Sequence, residues 1–202
     1  MMVVESQYFP CVNYIAALLK SDVCEIEQWE TFRKMSFRNR CIIVGSNGLI
    51  NLTVPVEGGR NNKQLMKDVR ISYSENWQAQ HWKAIVSSYA KAPFYEYYQH
   101  SIEQLIKKQH TFLLDKNMEI IFWLKKVLKV QLEIWLTTEY EQVLSTGKLD
   151  YRNEWLPNNY CNKENGIYYN QVFEEKLGFQ KNVSLLDFLF CVGPNIKNAI
   201  GE

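Results

Sequence analysis

Apolar residues recur along this chain with two different periods, and the switch between them divides the sequence into elements. Met2-Val3-Val4-Glu5-Ser6 is short, β-branched and bounded by Tyr8-Phe9-Pro10, the pattern of a buried strand that ends in a tight turn. Cys11 to Leu19 reads as a helix and Val23 to Gln28 as a second strand. A strand-helix-strand unit of this length closes by a right-handed crossover, which sets its two strands parallel. Arg40 to Val44 and Leu49 to Val56 are strand-like runs joined by Gly45-Ser46-Asn47-Gly48, where the Asn-Gly pair offers the positive-φ positions of a tight hairpin. Pro55 belongs at an edge or a strand end because it cannot donate to a ladder. Glu57 to Lys63 follows as a glycine-rich, partly basic flap, and Val69-Arg70-Ile71 as a further short strand.

The period then lengthens to that of helices. Asn76 is placed to cap a first amphipathic helix whose stripe contains Trp77, His81, Ile85 and Tyr89. A second runs from Tyr95 to Gln109 with Tyr98, Ile102, Leu105 and Ile106 on one face. The third spans Asp115 to Val130 through Met118, Ile121, Leu124 and Leu128, and it leads into the strand-like Leu132 to Leu136. Gly147 to Gly166 reads as loop with a short strand and Ile167 to Phe173 as another strand. Ser184 begins a last helix with the Ser-x-x-Asp spacing of a capping box to Asp187, and Gly193-Pro194 ends it. Together these elements predict one α/β domain over residues 1–202: a mixed, largely parallel sheet with a β-hairpin, flanked by amphipathic helices.

Length and composition agree with one core. The chain has 202 residues, 47% of them hydrophobic, and 23 Lys+Arg against 22 Asp+Glu leave a net charge of +1. That balance provides no basic field for nucleic acid, so an anion site must be local. Five cysteines without a C-x-x-C pair argue against a disulfide scaffold and against a zinc ribbon, and point to a reducing, cytoplasmic setting. The longest apolar candidate, Ile120 to Val130, is broken by Lys125, Lys126 and Lys129, so no membrane span is expected. Three histidines without H-x-x-x-H spacing leave no metal site, and no phosphate loop, G-x-G-x-x-G or G-x-S-x-G occurs.

The candidate chemistry centres on Ser36-Phe37-Arg38-Asn39-Arg40. Arg38 and Arg40, two apart, share a face if the segment is extended, where two guanidinium forks grip a phosphate or carboxylate; Arg33 and Lys34 add charge nearby. The plainer reading is an edge strand protected by its charges. Gln7 lies at the carboxyl end of the first strand, where open α/β sheets bind ligands, although it can equally serve the turn. His81 shares the core stripe with Trp77 and Ile85: a general base if it meets a pocket, and otherwise a hydrogen-bonded core residue. His100 and His110 read as exposed. Lys91 follows a helix C-terminus, which the macrodipole favours with or without a ligand. Asp187 reads as a capping residue, and the aromatics around Tyr95, Tyr97 and Tyr98 either pack or stack on a sugar or base.

Taken in order, Gln7-x-Phe9-Pro10-x-x-x-Tyr14, Ser36-Phe37-Arg38-Asn39-Arg40, Leu52-Thr53-Val54-Pro55-Val56, Trp77-x-x-x-His81, Tyr89-x-Lys91-Ala92-Pro93-Phe94-Tyr95, Tyr169-x-Gln171-Val172-Phe173 and Asn182 to Phe190 resemble the WbqC-like family of bacteria. The resemblance implies an association with O-antigen or other surface-polysaccharide biosynthesis. Combined with the arginine pair, it implies a site of Gln7, Arg38, Arg40, His81 and Lys91 at one end of the sheet. The expected ligand is a phosphorylated or carboxylated small molecule such as a nucleotide sugar, acted on by group transfer with His81 as proton acceptor. The alternative is a non-catalytic protein that scaffolds a polysaccharide-assembly complex. Cofactor and oligomeric state are not read from these residues.

Overall fold

A computed structural model describes residues 1–58, 63–161 and 166–196. Four strands form a parallel sheet in the order β5-β2-β1-β6: β1 (Met2–Glu5), β2 (Val23–Glu27), β5 (Glu133–Leu136) and β6 (Leu149–Asp150). The opening strand-helix-strand unit is as the pattern predicts, with α1 (Val12–Leu19) between β1 and β2 and Glu5 directly opposite Glu27 in the register. Every residue of β1 is buried, which accounts for the apolar run Met2-Val3-Val4.

The antiparallel hairpin pairs β3 (Arg40–Gly45) with β4 (Gly48–Thr53). Its register puts Ser46 and Asn47, not Asn47 and Gly48, at the tip, and of the Asn-Gly pair only Gly48 has positive φ, at 126°. The helical segment gives α2 (Trp77–Tyr89), α3 (Tyr95–Lys107) and α4 (Leu113–Leu128), each close to its predicted span; a short α5 (Glu174–Leu177) and α6 (Leu185–Val192) follow. Asn76 precedes α2 without a side-chain cap hydrogen bond.

Two predicted strands are absent. Val69-Arg70-Ile71 makes only isolated bridges, Arg70 to Phe112 and Ile71 to Val56, because each neighbour runs beside it for one residue. Ile167 to Phe173 has no ladder; its polar side chains bond instead to α6 and to Gln180. The glycine-rich flap lies in part outside the described residues.

Helix α6 sits at the centre of the molecule, packed against α1, α3 and β3. Leu185 through Phe190 are all buried, so this helix is covered on every side, with Asp187 its one buried charged residue. Ser184 caps it, accepting from the Leu186 backbone N–H at 3.3 Å, and Gly193 ends it at φ 70°, where a β-carbon would collide with the Phe94 ring. Asp187 is no cap: its buried carboxylate accepts from Tyr89 at 2.8 Å, Tyr169 at 2.7 Å and the Gln171 amide at 2.8 Å. Tyr89 Oη in turn accepts from the Val44 N–H, so one carboxylate ties α6 to α2, to the hairpin and to the irregular segment before α5.

Candidate functional site

Carboxylates stand where an apolar sheet would not need them. Glu5 and Glu27 end adjacent parallel strands and are 1% exposed each, and Glu30 follows β2 at 7%. A buried carboxylate must be paired or hydrogen-bonded, and all three are. Glu27 accepts from the Trp29 N–H at 2.8 Å and Thr137 Oγ1 at 2.9 Å, with Arg152 at 3.4 Å. Glu5 accepts from the Gln7 amide and from the Asn153 N–H, both at 2.8 Å.

Glu30 is held by Arg38. The guanidinium donates Nε to Glu30 Oε1 at 2.6 Å and Nη2 to Oε2 at 2.5 Å, the two-pronged geometry that only arginine offers, and Nη2 also reaches Asn153 Oδ1 at 3.0 Å. Burial acts to lower the Arg38 pKa, but the bonds to Glu30 raise it on balance, and the pair is ionic. Asn153 adopts the left-handed conformation, φ 62°, which lets its backbone N–H serve Glu5 while its side chain serves Arg38. Arg38 Nη1 is buried and has no partner.

This network floors a cleft of about 330 Å³. Glu30, Arg38 and Asn153 line it from below, with Trp29, Thr31, Arg33 and Tyr140 around them. It lies beyond the carboxyl ends of β1 and β2, the end at which open parallel sheets place ligands.

The residues singled out from sequence are distributed unevenly about it. Arg38 lines the cleft, and Gln7, fully buried, supports it through Glu5. Ser36 to Asn39 is a turn rather than an extended strand, so the two arginines do not form a clamp: Arg40 starts β3, half-exposed, and is not in the cleft lining. Lys91 is exposed in the turn between α2 and α3. His81 is buried elsewhere, receiving a hydrogen bond from Tyr8 Oη on Nδ1 at 3.1 Å and donating from Nε2 to the Thr53 carbonyl at 3.1 Å. A carbonyl can only accept, so Nε2 carries a proton, and in the neutral ring Nδ1 is then the acceptor for Tyr8. His100 is exposed as expected, but His110 is half-buried against Glu119 at 2.6 Å.

Burial lowers the His81 pKa to about 4. The unfolded chain, with an ordinary histidine, binds more protons between about pH 6.5 and 4, so this residue's contribution to stability is complete above that window and is lost as pH falls through it, about 3 kcal/mol in all. Urea unfolding of the wild type and of His81→Gln, whose amide can still donate to Thr53, should show a stability difference that changes by that order between pH 7 and 4. A difference independent of pH would exclude a neutral buried histidine.

Sequence reasoning missed Glu5, Glu30 and Asn153. A detectable signal existed for the first, a carboxylate closing an otherwise apolar buried strand; Asn153 carries none, since it joins the site from 115 residues beyond Arg38. Among the described residues no group of histidine, cysteine and carboxylate side chains could hold a metal ion, no disulfide joins the cysteines, and no helix is long and apolar enough to cross a membrane.

Comparison with known proteins places the fold and cleft in context. The WbqC-like protein family matches residues 5–166, from Glu5 to beyond Asn153. The chain belongs to this family. A Mycobacterium tuberculosis (strain ATCC 25618 / H37Rv) protein described as uncharacterized is 26% identical over 217 residues, covering 95% of this chain and 93% of its own length. No solved structure matches significantly. The cleft of this WbqC-like protein is thus built from within the family match, while α6, which the core requires, lies outside it.

Proposed function

We propose that this WbqC-like protein binds a nucleotide-activated sugar or a related phosphorylated intermediate of surface-polysaccharide biosynthesis in the cleft, in the cytoplasm, and carries out a group transfer on it. The observation that carries the reading is Arg38: a buried guanidinium, oriented by Glu30 and Asn153, that lines a cleft beyond the sheet's carboxyl ends. Arg33, exposed at the cleft wall, adds positive charge for a phosphate. The proton acceptor passes from His81 to Glu30. Glu30 lines the cleft and burial pushes its carboxyl upward, whereas both His81 nitrogens are engaged away from it.

Thermal-shift measurements against nucleotide sugars, free nucleotides and sugar phosphates test this. A ligand at about 100 times its Kd adds about 2.7 kcal/mol to the folded state. Stabilisation by a nucleotide sugar is expected in the wild type and should be reduced in Arg38→Lys, which keeps the charge and loses the fork, and in Arg33→Ala. If no phosphorylated compound moves the midpoint, the reading falls. The scaffold reading would then stand on the edge strand β5, where Trp135 is 59% and Leu136 40% exposed.

A further inference from the structure

The cleft floor has little charge to give. Arg38 commits Nε and Nη2 to Glu30, so the pair is neutral as a unit, and two more buried carboxylates, Glu5 and Glu27, stand behind it on the strand ends. A phosphate seated against Arg38 would share the floor with Glu30, and two anions in a partly dehydrated site repel. A hydroxyl faces no such cost. It can donate its own hydrogen to the carboxylate or to the Asn153 amide oxygen. Planar, rigidly held Arg, Glu and Asn side chains side by side suit a row of neutral hydroxyls.

The wall above this floor is aromatic. Trp29 is pinned by its backbone N–H on Glu27 and by its indole N–H on the Thr137 carbonyl at 3.0 Å, and Lys67 Nζ lies 4.3 Å from the ring centre. The indole therefore has a fixed orientation while still lining the cleft. The negative face of such a ring attracts the weakly positive C–H bonds of a saturated sugar ring, and an indole already ordered loses little freedom on binding. Arg33 differs from Arg38 in being exposed at the wall, where a phosphate keeps part of its hydration.

Resting on the cleft as the ligand site of the proposed function, we infer that its floor holds the sugar ring and not the phosphate: the pyranose stacks on Trp29 with hydroxyls on Glu30 and Asn153, and the phosphate lies outward at Arg33. The chain then reads the sugar directly, and bare nucleotides are poor ligands.

Saturation-transfer NMR and calorimetry with UDP-glucose, UDP-N-acetylglucosamine, dTDP-glucose and GDP-mannose, each beside its bare nucleotide, test the arrangement. At least one nucleotide sugar should bind tenfold or more tightly than its nucleotide, with its sugar-ring protons receiving more saturation than its base protons. Trp29→Leu, its fold checked by thermal midpoint, should weaken that compound by about three- to tenfold and leave the bare nucleotide unchanged. Arg33→Ala should weaken both. Nucleotides that bind as tightly as their sugar-linked forms, saturation centred on the base, or equal losses for both ligands in Trp29→Leu would overturn the inference while the proposed function stands. Silence from every phosphorylated probe would overturn both.

Discussion

Arg38→Met is expected to lower stability by about 3–5 kcal/mol, because it leaves the Glu30 carboxylate, 8% exposed, without its counter-charge. For a domain of this size that is a fall in Tm on the order of 10 °C. The burial of the pair makes the cost large: the same ion pair in water would be worth under about 1 kcal/mol. The double variant Arg38→Met/Glu30→Leu removes both charges and should regain most of the loss, since two desolvation costs vanish together. Chemical unfolding of the single and double variants measures the coupling directly. A single variant within about 1 kcal/mol of the wild type would mean that Glu30 is not held as a buried anion.

The second large effect is expected at Asp187. Asp187→Ala leaves the buried Tyr89 and Tyr169 hydroxyls without their acceptor, while the Gln171 amide keeps the Gln180 carbonyl, and an unsatisfied buried donor costs about 1–3 kcal/mol. Because the two hydroxyls share one acceptor their costs do not add, and a total of about 2–4 kcal/mol is expected. Asp187→Asn, which keeps one acceptor oxygen, should fall between. Burial holds the Asp187 carboxyl above its ordinary value despite those three donors. With the folded pKa above the unfolded one, the folded state binds the extra proton, and the advantage of wild type over Asp187→Asn should shrink as pH rises through the window just above the usual carboxyl range. An advantage that grows with pH there would show instead that the donors outweigh burial.

How far the sequence reveals this molecule depends on the distance over which each feature is decided. β1, α1, β2, the hairpin and α2 to α4 follow from periodicity and punctuation within a dozen residues, and all are present. Ile167 to Phe173 has strand composition but no neighbouring strand, and pairing is a property of the partner as much as of the segment. The site shows the same division. Arg38 was visible as a cation near an anion-binding end of a sheet. Its commitment to Glu30 was not, because a turn redirects it, and no spacing rule links it to Asn153. His81 was correctly placed on the core stripe, yet the stripe could not show that Tyr8 and the Thr53 carbonyl take both its nitrogens.

The central position of α6 has a consequence for how the chain is made. Strand β1 is synthesised before its neighbour β6 and before the helix that packs α1 and the hairpin, by about 150 and 180 residues. At roughly 5–20 residues per second the early half waits about 10–40 s for them. Throughout that interval the apolar faces of α1 and β3 and the lone carboxylate of Glu5 are exposed together. Nascent-chain chaperones are therefore expected to hold this protein until α6 has emerged, and its yield should depend more on translation rate and temperature than its final stability would indicate.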